Sequence, residues 1–204
     1  MKLNNIKALS IYILILLAVG ISATGSSLDS VISKYSEAKM LTFDVRIIVF
    51  SDIFEDTDTT EGNIVIADDG RYAADIGDDL YVFDGRCIWE YSSENNQATR
   101  DCLKPGEMFE NELFFIKNLE KYYKTVSEEK DTLFLMVRKD TLHSQLPDSL
   151  YLTLNKSRLT TLKYYDLNHD QNQVHILSDS IFKAVEPSAF DINLPDTVEV
   201  ITLP

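Results

Sequence analysis

Tyr81–Cys102 reads YVFDGRCIWEYSSENNQATRDC and holds the chain's one tryptophan and both of its cysteines. Asp84-Gly85 offers a tight turn at its start. With Glu94 and Asn95 at a hairpin tip, Tyr91 faces Ala98, Trp89 faces Arg100 and Cys87 faces Cys102. Side chains alternate along a strand, so Cys87, Trp89 and Tyr91 share one face. Directly opposed cysteines lie at bridging separation, and the register therefore predicts a Cys87–Cys102 disulfide. The same register sets Trp89 beside Arg100 for a cation–π contact. A redox dithiol would instead place its cysteines as Cys-X-X-Cys at a helix start. The wide spacing here, on strands, points to a fastened aromatic hairpin.

Outward from this hairpin the period of two continues. TFDVRIIVF places Phe43, Val45, Ile47 and Val49 on one face of a strand with Asp44 and Arg46 opposite. GNIVIA, RYAADI and DLYVF follow, joined by Asp69-Gly70, Gly77-Asp78 and Asp84-Gly85. Such short turns leave no room for crossover helices, so the strands should be antiparallel. TLFLMVRK, SLYLTLNK, RLTTLKYYDL and QNQVHILSD, with a last extended stretch near Phe190 to Leu194, predict a second block of strands. Two segments change to helical period. SLDSVISKYSEAK aligns Leu28, Val31, Ile32 and Tyr35 and is capped by Ser26 or Ser27. MFENELFFIKNLEKYY aligns Phe109, Leu113, Ile116 and Leu119, with Phe114 widening the stripe. The fold class is mainly β with some α, a strongly bent antiparallel sheet of about ten strands with the two helices against its apolar face.

The ends of the chain set the compartment. Lys2 and Lys7 precede the apolar run IYILILLAVG and the small residues Ala23, Thr24 and Gly25, the order of a secretory signal peptide over residues 1–25. Its apolar core is shorter than the roughly 20 residues of a spanning helix. A cut after Gly25, or after Ala23, leaves one domain, residues 26–204, in an oxidising compartment where the bridge can persist. The chain carries a formal charge of −14, and losing Lys2 and Lys7 with no acid makes it −16. That charge disfavours nucleic acid and an anionic bilayer and tolerates a basic partner.

VFDGRCIWEYSSENNQAT, preceded by EGNIVIADDGRYAADIGDDLY, resembles the periplasmic outer-membrane lipoprotein carrier family. The match rests on Asp84, Gly85, Ile88, Trp89, Tyr91, Gln97, Ala98 and Thr99. Looser agreement runs from LTFDVRIIVF to the terminal FDINLP. The resemblance implies an incomplete β-barrel covered by helices around an apolar cavity, in a soluble periplasmic chaperone. Its partners would be acylated lipoproteins, an inner-membrane release complex and an outer-membrane acceptor, with the chaperone a monomer. Lipid-binding candidates are then Phe43, Val45, Ile47, Val49, Trp89, Tyr91, Phe109, Leu113, Phe114, Ile116 and Leu119. Where the family carries a basic residue followed by proline, this chain has Asp68-Asp69-Gly70-Arg71, which makes Arg71 the gating candidate. An envelope lipid-binding or lipid-sensing protein, or a structural interaction domain of the same fold, are the alternatives.

Little else suggests chemistry. His143, His169 and His175 lack the spacing and cysteines of a zinc site. DLNHDQNQ imitates the start of a calcium loop, but Gln171 replaces the required glycine and Leu177 the closing glutamate. There is no Gly-X-Ser-X-Gly elbow, and the paired Asp68-Asp69 and Asp78-Asp79 read as turn residues. The expectation is a protein without cofactor, metal or catalytic activity.

Overall fold

Phe43, Val45 and Ile47 alternate with Asp44 and Arg46 along β1 (Met40–Ser51), and the alternation turns the first set into the core and the second to solvent. The computed structural model describes residues 26–104, 112–140 and 146–203. The leader expectation for residues 1–25 and the site expectation for Phe109 lie outside them, as do the side chains of Leu113 and Phe114.

After β1 come β2 (Asp56–Ala67), β3 (Tyr72–Ile76), β4 (Asp79–Phe83), β5 (Cys87–Ser92) and β6 (Gln97–Cys102). Each is antiparallel to the strand before it. The second block is β7 (Tyr123–Glu129), β8 (Leu133–Arg138), β9 (Ser149–Asn155), β10 (Arg158–Tyr165) and β11 (Gln171–Phe182), and β11 returns to pair with β1. β12 (Glu199–Thr202) joins β6 in parallel. The result is one curled sheet of 12 strands in the order β12-β6-β5-β4-β3-β2-β1-β11-β10-β9-β8-β7. Its end strands do not pair with each other, so the barrel is incomplete.

The turns follow backbone chemistry. Gly70, Gly77 and Gly85 adopt positive φ at the three expected reversals. Lys130-Asp131 and Lys156-Ser157 make left-handed two-residue turns without glycine. YKTVSEE, to which the sequence pattern assigns no element, is strand β7, with only Tyr123 buried and no apolar alternation. One expectation is corrected here. The stretch near Phe190 is a short 3-10 turn, Pro187–Phe190, and the last strand lies further on.

Helix α1 (Ser27–Glu37) starts at a capping box, in which the Asp29 amide donates to Ser26 Oγ (3.2 Å) and the Ser26 amide to Asp29 Oδ2 (2.9 Å). Its Leu28, Val31, Ile32 and Tyr35 enter the core, each burial worth about 1.5–3 kcal/mol for the aliphatic members. The second helical region is a 3-10 segment, Glu112–Asn118, running into a single turn, α2 (Leu119–Tyr122). Asn118, at φ −123° and ψ 36°, interrupts what would have been one continuous helix.

Two apolar clusters result. The larger fills the concave face under α1 and the 3-10 segment. The smaller, of Met40, Ala67, Val82 and Phe190 with Trp89 packed against it, lies on the opposite face of the sheet.

Candidate functional site

The concave face is built row by row. Phe43 lies opposite Ile64, Ile64 opposite Ala74 and Ala74 opposite Tyr81, so β1 to β4 present one continuous row. On the other side of β1, Val45 meets Ile176 and Ile47 meets Val174, and Val174 faces Leu162, which faces Leu152. Phe43 and Val45 are 1% and 2% exposed. Ile47 is partly buried and packs against the same cluster, and Val49 continues its row, half-buried.

The cover occupies this surface. Tyr35 meets Phe43 edge-on, with ring centroids 5.5 Å apart. Phe115, Ile116, Leu119 and Tyr122 descend from the second helical region into the same cluster. Of the expected lining, Ile116 and Leu119 are therefore in the cover and Phe43, Val45 and Ile47 in the wall, brought together as one body.

Polar contacts tie the cover down at both ends of α1. The Ser27 amide donates to Asp131 Oδ1 (2.8 Å) and its hydroxyl to the Asp131 carbonyl (2.9 Å), fixing the first turn to the β7–β8 reversal. At the other end Lys117, only 3% exposed, donates from Nζ to the carbonyls of Tyr35 (3.2 Å), Ser36 (3.4 Å) and Ala38. A cation there satisfies the orphan carbonyls of the last turn and suits the helix dipole. Burial holds the Lys117 ammonium below its usual pKa, opposed by the nearby negative charge of Asp68. Burial also pushes the Tyr35 phenol well up, reinforced by Asp179, to which its hydroxyl donates at 3.5 Å.

Lys117 is not legible in the sequence as a site residue. Its one signal is a lysine inside the apolar run FFIKNL, which reads equally as the solvent side of a helix.

Other expected residues lie elsewhere. The pairing Val65–Ala73–Val82–Trp89 runs on the outer face, one residue out of step with the Phe43 row. Trp89 packs there, donates from Nε1 to Asp84 Oδ2 (3.3 Å) and carries the Arg100 guanidinium 5.0 Å from its ring centroid. Tyr91 shares that register. The fastened hairpin is present, with Cys87 opposite Cys102 and bridged to it. It forms wall, and its aromatic residues do not face the concave cluster. Arg71 is held by Asp69 at 2.8 Å and stacks on Phe190 at 4.8 Å, so its guanidinium is engaged on the outer face.

Beyond β4 the concave surface changes character. Tyr81, Glu90 and Thr99 continue the Phe43 row, and Asp79, Ser92 and Gln97 the next one. With Tyr91 and Asn95 they line an open cleft of about 280 Å³. Burial raises the Tyr81 phenol, with Asp79 and Glu90 adding to the effect. The calcium-like loop has a different use for its first carboxylate. Asp166 accepts from the Asn168 and Asp170 amides and from Asn172 Nδ2, closing its own hairpin.

A curled, unclosed sheet with an apolar face under two helical segments is the mainly β, incomplete-barrel fold expected from the sequence. Among solved structures the chain is similar in fold to an uncharacterised conserved protein from Thermus thermophilus, at 8% identity and TM-score 0.50, over 87% of this chain and 99% of that one. A LolA superfamily protein from Nitrosomonas europaea matches at 10% identity and TM-score 0.42, over 83% of this chain and 99% of that one. A putative outer membrane lipoprotein-sorting protein domain from Vibrio parahaemolyticus matches at 10% identity and TM-score 0.41, over 81% and 94%. No family model and no curated protein matches the sequence.

Proposed function

We propose that the protein is an exported periplasmic carrier that shields lipoprotein acyl chains between an inner-membrane release complex and an outer-membrane acceptor. The observation that carries this reading is the concave apolar face, covered by helical segments that polar contacts, rather than a covalent link, hold at the Lys117 and Ser27 ends. The resemblance around Trp89 supports it, as does the signal-like order of residues 1–25. No described helix is long and apolar enough to cross a membrane. The reading involves no catalytic step.

Energetics constrain how such a carrier works. Each methylene removed from water contributes about 0.8 kcal/mol, so about 40 methylenes would amount to ~30 kcal/mol. That exceeds the ceiling for non-covalent affinity, roughly 18–21 kcal/mol. In this protein an offset is built in, because the wall already contacts Tyr35, Phe115 and Leu119, and acyl chains must replace those contacts. Binding is then an exchange of one apolar partner for another, which permits release.

The filled concave face also favours a second reading, a structural interaction domain whose cover never leaves. Mass analysis of lipid retained by the exported protein separates these. Intact lipoprotein supports the carrier, and free phospholipid supports an envelope lipid-binding or lipid-sensing role. Absence of any lipid under cargo-rich conditions leaves the structural domain.

A further inference from the structure

The β1–β2 hairpin reverses through Asp52-Ile53-Phe54-Glu55, where Ile53 and Phe54 are 75% and 80% exposed. Leu167, in the β10–β11 turn, is 61% exposed. Phe50 pairs with Gln171, so the two turns stand side by side at one end of the sheet. One exposed apolar side chain needs no explanation. Three large ones on adjacent tips form a patch, and turns serving only to reverse the chain favour small polar residues.

Charge narrows the occupant. Residues 51–60 and 164–172 contain Asp52, Glu55, Asp56, Asp58, Asp166 and Asp170 and no Lys or Arg. Among the described residues none of these six carboxylates is in an ion pair. An apolar knob within unneutralised carboxylates is repelled by an anionic bilayer, and a second copy of the same patch would oppose like charges. A protein surface with an apolar notch rimmed by Lys and Arg satisfies both features. We propose that the paired hairpin tips, centred on Phe54, are the docking surface for a basic protein partner. The place suits an exchange of cargo, because the Ile47–Val49 row runs to this end and Phe115 of the cover packs edge-on against Tyr164, centroids 6.4 Å apart. The docking claim goes beyond the carrier reading and stands or falls separately.

The test replaces Phe54 in the full exported chain with the photoreactive p-benzoylphenylalanine, and exposed Lys183, just past the opposite end of β11, as control. After irradiation in cells, adducts are identified by mass. The expected result is a protein adduct through a segment of net positive charge, at least about tenfold stronger from position 54 than from 183. Combined D52N, E55Q, D56N and D58N substitutions should weaken it at least about tenfold. Adducts to phospholipid, to a second copy or to a neutral or acidic segment would overturn the proposal, and so would equal yields or no adduct from position 54. Flotation with phosphatidylethanolamine–phosphatidylglycerol vesicles gives an independent arm: the purified protein should stay unbound, and binding that Phe54→Ser removes would assign the tips to membrane instead. Lipid retention by Phe54→Ser, measured separately, should be unchanged. A wild-type protein without lipid would count against the carrier reading and leave the adduct result intact.

Discussion

The β5–β6 hairpin and the helical cover are both fixed to the curled sheet, by different means. The hairpin is bridged by Cys87–Cys102, flanked by β12 through parallel pairing, and backed by Trp89 and Phe190. The cover has no disulfide among the described residues. It rests on apolar packing and on a few polar contacts at the ends of α1. On the carrier reading the hairpin side stays shut and the cover side opens.

Removing a main element of the hairpin side should have the largest effect. Phe190→Ala empties the centre of the outer cluster, and a buried phenylalanine truncation costs about 3–5 kcal/mol. Denaturant unfolding should show that loss, while acyl-chain loading per folded molecule stays normal. If loading falls with the stability, the outer cluster and the cover are one cooperative body and the comparison fails. Reduction of Cys87–Cys102, whose sequence separation is 15, should remove about 3 kcal/mol by loop entropy. Thiol alkylation with intact-mass measurement checks the bridge directly; two reactive thiols in native exported protein would refute it.

Smaller changes probe the cover side. Lys117→Met takes the donor from the α1 carbonyls and should cost about 1–3 kcal/mol. On the carrier reading it also speeds lipid loading, which a purely structural lysine would not do. The pH dependence has a fixed sign. The folded-state pKa of Lys117 is depressed, so between it and the unfolded value, near ~10.4, the unfolded chain binds more protons and stability rises with pH. Wild type should therefore gain on Lys117→Met as pH is raised through that window, seen as a widening gap between their denaturation midpoints; a constant gap would mean the ammonium is not desolvated. Arg100→Ala, at the Trp89 stack, should cost no more than about 0.5–1 kcal/mol from the lost cation–π contact.

How far the sequence discloses this division differs between the two sides. The hairpin is readable to the residue pair, because alternation and a two-residue tip leave few registers, and Cys87, Trp89 and Arg100 fall where they predict. The wall residues Phe43 and Val45 are readable for the same reason. Strand alternation says which residues share a face, but not which of two apolar faces meets the helices, and so it sets Trp89 with the lining although that ring packs outside. The cover is less legible still. Asn118 breaks the helical stripe through backbone geometry, and Lys117 acquires its place only when Tyr35 of α1, 82 residues away in the chain, is brought beside it. β7 is silent in the sequence because a mostly exposed edge strand needs no apolar pattern.

Native-state hydrogen exchange, with and without a triacylated lipopeptide, tests the central claim that the cover opens while the sheet keeps its pairing. Amides of α1 and of residues 115–122 should exchange through a local opening, well below the free energy of global unfolding. Lipopeptide should change their rates at least about tenfold and leave β5 and β6 unaffected. Exchange of the cover only through global unfolding, unchanged by lipopeptide, would contradict the account and make the helices a fixed part of the core.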